Sequence, residues 1–363
     1  MNNLLVFHHS DLDGMGVKLL GMLYARSKGW DVETYSCEYG NIDQIISERL
    51  QNPEDFREIV IGDISIQSKE LADWLDEINY TNPVHLLDHH ISAMWLNIYD
   101  WAFVQEKDST GILRCGTYWT AQKLFGEPFL GEYPIIREFV ELVDLYDTWK
   151  WRNNFVQPYT QADDLNSLFK MLGEKRFTSY MMECFLNEEP LFHGYSQELI
   201  ALRAEKLDNK AKSLEKTMKK CLLKFDIPAT GYMADEIRKY YEGKDQGGLE
   251  ILQEKDSKRF ITQFKVGLVF TDGDISDLGH RILGDNPDLD FLLFVSMPRF
   301  ISLRSTNELI VPLSVVAKYL TGKGGGHPCS AGGSIHPRAS WNAAKELFPN
   351  HKNRILFDLT KLS

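Results

Sequence analysis

Three short polar clusters hold the residues best equipped for chemistry. HHSDLDG supplies His8, His9, Asp11 and Asp13, GDIS supplies Asp63, and LDHH supplies Asp88, His89 and His90. Carboxylate oxygen combined with imidazole nitrogen suits Mn²⁺, Fe²⁺ or Mg²⁺ better than a soft thiolate site would. Two carboxylates two residues apart at a strand-to-helix turn can each reach a different ion, and a third from a neighbouring strand can bridge them. Two ions roughly 3.5–4 Å apart clamp the attacking and leaving oxygens of a phosphoryl transfer. Taken singly, each cluster has a plainer reading. An aspartate after a strand is ordinarily a helix N-cap, and a pair of histidines is ordinarily structural. Their occurrence in order, each at the end of an apolar run, points to a metal centre.

The elements that must position them follow from the apolar pattern. NLLVFHHS, EIVIGDIS and PVHLLDHH read as strands that end in polar loops, with the helical spacings of MGVKLLGMLYARSKG and LADWLDEI between them. Strands separated by helices imply a parallel sheet, and in such sheets ligands bind outside the carboxyl ends of the strands. Residues 103–150 and 165–222 read as mostly helical, and RAEKLDNKAKSLEKTMKKCLLK, free of Pro and Gly, reads as a helix connecting two domains. A second α/β region follows, with strands FKVGLVF, LDFLLFVSM and ISLRS and then the glycine-rich loop TGKGGGHPCSAGGS. That loop is not a Walker A motif, but its glycines let backbone N–H groups approach an anion.

Bulk properties narrow the class. A chain of 363 residues suits two domains. A hydrophobic share of 43% with a charged share of 25% is that of an ordinary globular protein, and no apolar run is long enough to span a bilayer. The five cysteines, at 37, 115, 184, 221 and 329, show no zinc-type spacing, and with no signal-peptide pattern at the N-terminus they imply a reducing, cytoplasmic setting. A net charge of −12 counts against a grip on long nucleic acid, which requires phosphate neutralisation. It leaves room for a small anionic substrate drawn to carboxylate-bound cations.

HHSDLDG, GDIS and LDHH resemble the first three motifs of the DHH phosphoesterases, and SLRS with GGGHPCSAGG resembles the signature of the DHHA1 substrate-binding domain. The resemblance implies an α/β protein: an N-terminal parallel-sheet DHH domain (1–165), a helical connector (166–224) and a smaller C-terminal α/β DHHA1 domain (225–363). The active site would lie in the cleft between the two domains. The stretch at about 226–262 is longer than the family pattern and reads as an insert.

The same resemblance implies two divalent ions, Mn²⁺ with Mg²⁺ or Fe²⁺ as alternatives. His9, Asp11 and Asp63 would hold one. Asp13, Asp63, His89 and Asp147 would hold the other, with Asp144 as the alternative to Asp147. Asp63 would bridge the ions and a bridging hydroxide would attack phosphorus. Asp88 would orient a ligand, and His90 would face the substrate phosphate. Arg304, Gly325, Gly326, His327 and His280 would bind substrate. The family's first-motif histidine often lies four residues before the first aspartate, a position occupied here by Phe7. LDHHISAMWLN, WAFV and ELVDLYDTWKW resemble the branch that removes 5′-mononucleotides from short RNA. The implied partners are short single-stranded RNA or DNA oligonucleotides, with no membrane and with homodimerisation left open. Rival readings are a cyclic- or linear-dinucleotide phosphodiesterase, a single-strand DNA exonuclease and a catalytically silent nucleotide-binding regulator.

Overall fold

The computed structural model describes residues 3–151, 159–227, 237, 260–271, 273–296, 300–307, 309, 311–321 and 324–334. The chain divides into two compact units, Met1–Arg203 and Ala204–Ser363. The division falls inside the segment expected to connect two domains.

The first unit is built on a five-stranded sheet in the order β2-β1-β3-β4-β5, with every neighbouring pair parallel. Its strands are β1 (Asn3–His9), β2 (Asp31–Cys37), β3 (Glu58–Gly62), β4 (Val84–Asp88) and β5 (Ala102–Val104). The central strands are apolar on both faces because helices cover both. Leu5, Phe7, Ile59, Ile61 and Leu86 pack with Ile42 and Ile46 of α2 (Ile42–Arg49) and with Leu71 and Leu75 of α3 (Lys69–Asn79). On the other face Leu4, Val6, Val60 and Leu87 meet Val17 of α1 (Leu12–Lys28). Behind α1 a helical layer gathers Leu19, Leu20, Phe139, Val143 and Phe177, drawn from α1, α6 (Pro134–Asp147) and α7 (Tyr159–Asn187). Two shorter helices, α4 (Gly116–Leu124) and α5 (Gly126–Glu132), precede α6.

The register brings the chemistry-bearing ends level. His9 of β1 pairs with Cys37 of β2, His8 with Gly62 of β3, and Gly62 with Leu87 of β4. Glu38, Asp63 and Asp88 therefore emerge from three strands at the same edge as His9.

The second unit carries a mixed six-stranded sheet in the order β10-β11-β9-β8-β7-β6, preceded in the chain by the end of α8 (Ser196–Thr217). The strands are β6 (Lys219–Ile227), β7 (Phe260–Phe270), β8 (Phe291–Ser296), β9 (Phe300–Arg304), β10 (Gly325–His327) and β11 (Ser330–Ser334). Among them only β7 and β8 run parallel, joined through α9 (Ile275–Asp285). Val266, Phe291 and Leu303 pack with Val316 of α10 (Leu313–Thr321), while Leu292 and Phe294 meet Leu278 and Ile282 of α9.

Two expectations change. The long helical reading ends early: α8 stops at Thr217, and Lys219–Lys224 belong to β6. The glycine-rich loop folds into the hairpin β10–β11, since its small side chains let Gly326 pair with Ala331 and His327 with Ser330. Strand β2 has a polar composition because it is an edge strand whose only fully buried residue is Cys37. Most of the insert at 226–262 lies outside the described residues.

Phe7 is fully buried two residues before His9 and anchors the β1 end of the sheet. Phe7→Ala is expected to cost about 3–5 kcal/mol, the usual loss for an emptied phenylalanine site. Denaturant melts measure it, and a change below about 1 kcal/mol would contradict this packing.

Candidate metal centre

The centre begins with the helix cap that the plain reading supplies. Asp11 is the N-cap of α1, and its Oδ1 accepts the Gly14 N–H at 3.1 Å. The other oxygen, Oδ2, faces His9 Nδ1 at 3.0 Å. One carboxylate thus both caps the helix and enters the cluster. Asp13 is buried in the first turn of α1, where Gly116 N–H donates to Oδ2 and Thr117 N–H to Oδ1, each at 2.7 Å. These donors belong to the first turn of α4, whose dipole also favours the negative charge.

Asp63 is not a helix cap, since α3 starts only after Ser68. It follows β3 in a left-handed conformation, φ 56°, with its N–H donated to Leu87 O at 3.0 Å. A non-glycine residue held there costs of order 1–3 kcal/mol and is typical of functional sites. Gly116 lies directly beneath it: a Cβ at Gly116 would come within 2.7 Å of Asp63 Cβ.

His89 Nε2 lies 3.3 Å from Asp63 Oδ1, 3.5 Å from Asp147 Oδ2 and 3.7 Å from Asp13 Oδ2. His9 Nδ1 lies 3.8 Å from Asp63 Oδ2. His9, Asp11 and Asp63 form one group able to hold a cation, and Asp13, His89 and Asp147 form another. Asp63 Oδ2 and His89 Nε2 are both buried without a hydrogen-bond partner. Such orphaned atoms are costly, and divalent cations held in these two groups would satisfy them, so the donor set fits the ions that the sequence implied.

Electrostatics agree with that fit. Burial, then Asp13 and Asp11, pushes the Asp63 carboxyl far above the ordinary carboxylate range. Burial raises Asp147 to about 7 against the pull of His89. Burial alone would lower His9 and His90, but Asp11 and Asp88 respectively override it and raise each to about 9. Burial opposes ionisation of Asp11 and Asp88 too, yet their histidine partners hold both below the usual range. His8, buried on the α1 side, is lowered to about 4 by desolvation, with Nδ1 against His9 O at 2.7 Å.

Asp88 organises its own motif. Its Oδ1 accepts His90 Nδ1 at 2.7 Å and the His89 N–H at 2.7 Å, and its Oδ2 accepts the Ser65 hydroxyl. Its ring contact is therefore with His90. Asp144, one turn before Asp147, points elsewhere: it accepts from Arg114 at 3.0 Å, from Lys150 at 3.1 Å and from the Cys115 N–H at 2.9 Å. Asp144 thereby fixes the start of α4, the helix that holds Asp13.

Sequence reasoning passed over four contributors. Gly116 and Thr117 lie more than a hundred residues from Asp13, with no local pattern to tie them to it. Glu38 meets His9 Nε2 at 3.2 Å and accepts from Ser10 Oγ. The Tyr39 ring stands 5.9 Å from that of His9 and 5.7 Å from that of His90. The usable signal for Glu38 and Tyr39 was their place just past β2, but the polar composition of β2 hid the strand.

In the second unit, Arg304 ends β9. Its Nε and Nη2 donate to Ser276 Oγ at 3.3 and 3.1 Å, and its Nη1 to Leu303 O at 2.8 Å. Gly279 packs against the arginine stem, and His280 lies one turn past Ser276 on α9. Gly325, Gly326 and His327 form β10. The sheet register aligns His327, Ser330 and Arg304 across three strands. Gly326 has φ 132°, and a Cβ there would meet Ser330 O at 2.5 Å, so glycine is required. The His327 side chain lies outside what is described.

Gly116→Ala is expected to abolish Mn²⁺ binding by displacing Asp63, with the fold retained by circular dichroism. Unchanged Mn²⁺ affinity in calorimetry would contradict the wedge. A second expectation concerns pH. Asp63 and Asp147 have folded values raised above 3.8, so their contribution to stability is present below that value and lost as pH rises, for Asp147 through about 7. His9 and His90 act in the same sense through about 9, whereas Asp11 and Asp88 act only below the ordinary carboxylate value. Metal-free protein should therefore melt at falling temperature from mildly acid to alkaline pH. Mn²⁺ at a hundredfold over its Kd should restore about 2.7 kcal/mol at neutral pH. Melting curves with and without Mn²⁺ that share one pH slope would contradict the charge-cluster account.

No family model matches the chain. The oligoribonuclease NrnB of Bacillus subtilis is 26% identical over 335 residues, covering 91% of this chain and 72% of that protein. A 3′,5′-cyclic-nucleotide phosphodiesterase of Helicobacter pylori is 24% identical, covering 91% of this chain and 92% of that protein. The crystal structure of RecJ in complex with Mn²⁺ from Thermus thermophilus is 12% identical with a TM-score of 0.51, covering 94% of this chain and 52% of that one, a likeness of fold. With the three motif clusters gathered at one sheet edge and NrnB aligned along most of the sequence, the chain resembles the DHH–DHHA1 phosphoesterases.

Proposed function

We propose that this protein is a divalent-metal-dependent phosphodiesterase that hydrolyses short oligonucleotides to 5′-mononucleotides. The observation that carries the reading is the pair of buried, unpartnered ligand atoms, Asp63 Oδ2 and His89 Nε2, set among Asp11, Asp13 and Asp147. His9, Asp11 and Asp63 would hold one ion, and Asp13, Asp63, His89 and Asp147 the other, with Mn²⁺ as the first choice. Bound ions would supply positive charge to the phosphate oxygens and ease deprotonation of the attacking water.

The chain's own residues supply the rest. Asp88 fixes the His90 ring through Nδ1, so the imidazolium can hold the scissile phosphate and donate a proton to the leaving oxygen. Asp63 holds its ligand position through backbone strain and the Gly116 wedge. Arg304, oriented by Ser276 and Leu303 O, would take a terminal phosphate in bidentate fashion, with Gly325, Gly326, His327 and His280 beside it. A net charge of −12 suits a short anion better than a long backbone.

The functional division we propose is a catalytic domain over 1–165, a connector over 166–224 and a substrate-binding domain over 225–363. The wide spacing of the five cysteines, with no zinc-type pattern, suits a cytoplasmic enzyme, and among the described residues no helix is long and apolar enough to cross a membrane. The name of the Helicobacter pylori relative favours a second reading, a cyclic-nucleotide phosphodiesterase.

The test is a product assay with Mn²⁺ on end-labelled RNAs of graded length, the matching DNAs, a 3′,5′-cyclic mononucleotide, cyclic di-AMP and pApA, with Asp63→Asn alongside. Release of mononucleotides from the shortest RNAs, reduced at least a thousandfold in Asp63→Asn, is the expected result. Activity confined to cyclic substrates would transfer the assignment to the second reading. Arg304→Ala should slow the shortest RNAs most, and an equal loss at every length would remove Arg304 from terminal-phosphate capture.

A further inference from the structure

Glu38 belongs to none of the three motif clusters, yet it is fixed at the edge of the centre. The parallel register sets Cys37 beside His9, so the residue after β2 emerges level with Ser10. The Glu38 N–H donates to Asn41 Oδ1 at 2.8 Å, and its carbonyl accepts from the N–H groups of Asn41 at 2.9 Å and Ile42 at 3.0 Å. The backbone at Glu38 is thereby closed into a turn that leads into α2. The carboxylate is held as well, with Oε1 accepting the Ser10 hydroxyl and Oε2 meeting His9 Nε2 at 3.2 Å. Tyr39 adds its ring against His9, 5.9 Å between centroids.

The His9 ring therefore has a carboxylate at each nitrogen, but the two sides differ. Nδ1 faces Asp11 Oδ2 at 3.0 Å and Asp63 Oδ2 at 3.8 Å, within the group able to hold a cation. Among the described residues Nε2 meets the carboxylate of Glu38, whose side chain is 56% exposed and has no place in that group. An imidazole that donates one N–H to a carboxylate presents its other nitrogen, as a lone pair in a fixed direction, to a metal.

We propose that Glu38 is the positioning residue that keeps the His9 proton on Nε2 and presents Nδ1 to the ion shared with Asp11 and Asp63. The inference rests on the metal-centre reading above and adds a residue to it. A plain surface ion pair would be worth little and would leave metal binding untouched, so metal binding discriminates between the two.

The experiment compares full-length wild type, Glu38→Ala and Glu38→Gln by Mn²⁺ calorimetry, by nitrogen couplings in pulsed electron paramagnetic resonance of bound Mn²⁺, and by kcat and KM on a short RNA. Glu38→Ala should weaken one Mn²⁺ site by about 10–100-fold, the usual effect of losing such a partner. It should also diminish the histidine-nitrogen coupling and lower kcat at limiting Mn²⁺ with KM for RNA little changed. Glu38→Gln keeps an oxygen acceptor for the Nε2 proton and should recover most of the loss. Wild-type Mn²⁺ affinity and couplings in Glu38→Ala would overturn the proposal while leaving the metal centre standing. Glu38→Gln as impaired as Glu38→Ala would overturn positioning in favour of direct ligation by Glu38. A wild-type protein that binds no Mn²⁺ would overturn the metal-centre reading, and the role of Glu38 with it.

Discussion

Like charge packed in a small, half-dry space is the constraint on which the first unit depends. Asp11, Asp13, Asp63 and Asp147 converge at the carboxyl ends of parallel strands, and Asp13 and Asp63 are almost fully buried. Carboxylates so close cannot all ionise without compensation. Two kinds of compensation are visible. Asp13 accepts hydrogen bonds from the backbone N–H groups of Gly116 and Thr117 at the head of α4. Asp11 is neutralised by the Gly14 N–H and by His9. Burial, reinforced by the neighbouring carboxylates, pushes the carboxyls of Asp63 and Asp147 upward, for Asp147 against the pull of His89. The remaining charge is what a divalent cation would neutralise.

The surrounding fold makes that arrangement permanent. Asp63 sits in a strained conformation over Gly116, where no side chain fits. Asp144 and Arg114 tie down the residues just before α4, so a half-buried ion pair outside the cluster governs a helix terminus inside it. Asp88 and Ser65 hold the His90 ring from below. The candidate ligands come from β1, α1, α6 and the residues that follow β3 and β4, and Gly116 serves two of them, Asp13 through its N–H and Asp63 through close packing.

Much of this was legible in the sequence, for identifiable reasons. Strands β1, β3 and β4 announced themselves because both faces are buried and the composition is continuously apolar, and the acidic and histidine residues followed them without a gap. The parallel sheet and the convergence of Asp13, Asp63 and His89 at one sheet edge follow from that pattern, whereas Asp147, on α6, was placed with them only by the resemblance to the DHH phosphoesterases. Edge strand β2 did not announce itself, since DVETYSC exposes most of its side chains, and with it went Glu38 and Tyr39. The hairpin at Gly325–Ser334 was read as a loop because glycine-rich pairing leaves no hydrophobic alternation to detect. Strand β6 was read as helix because lysine-rich KKCLLK continues the charge pattern of α8. The hold of Gly116 and Thr117 on Asp13 spans more than a hundred residues, a relation that local spacing does not encode.

The central claim is that this acidic edge is a two-ion centre. An anomalous difference map from crystals soaked in MnCl₂, recorded at the manganese edge, tests it most directly. The account requires two peaks roughly 3.5–4 Å apart, one beside His9 and Asp11, the other beside Asp13, His89 and Asp147, with Asp63 in reach of both. A single peak, or none at this edge of the sheet, would contradict it.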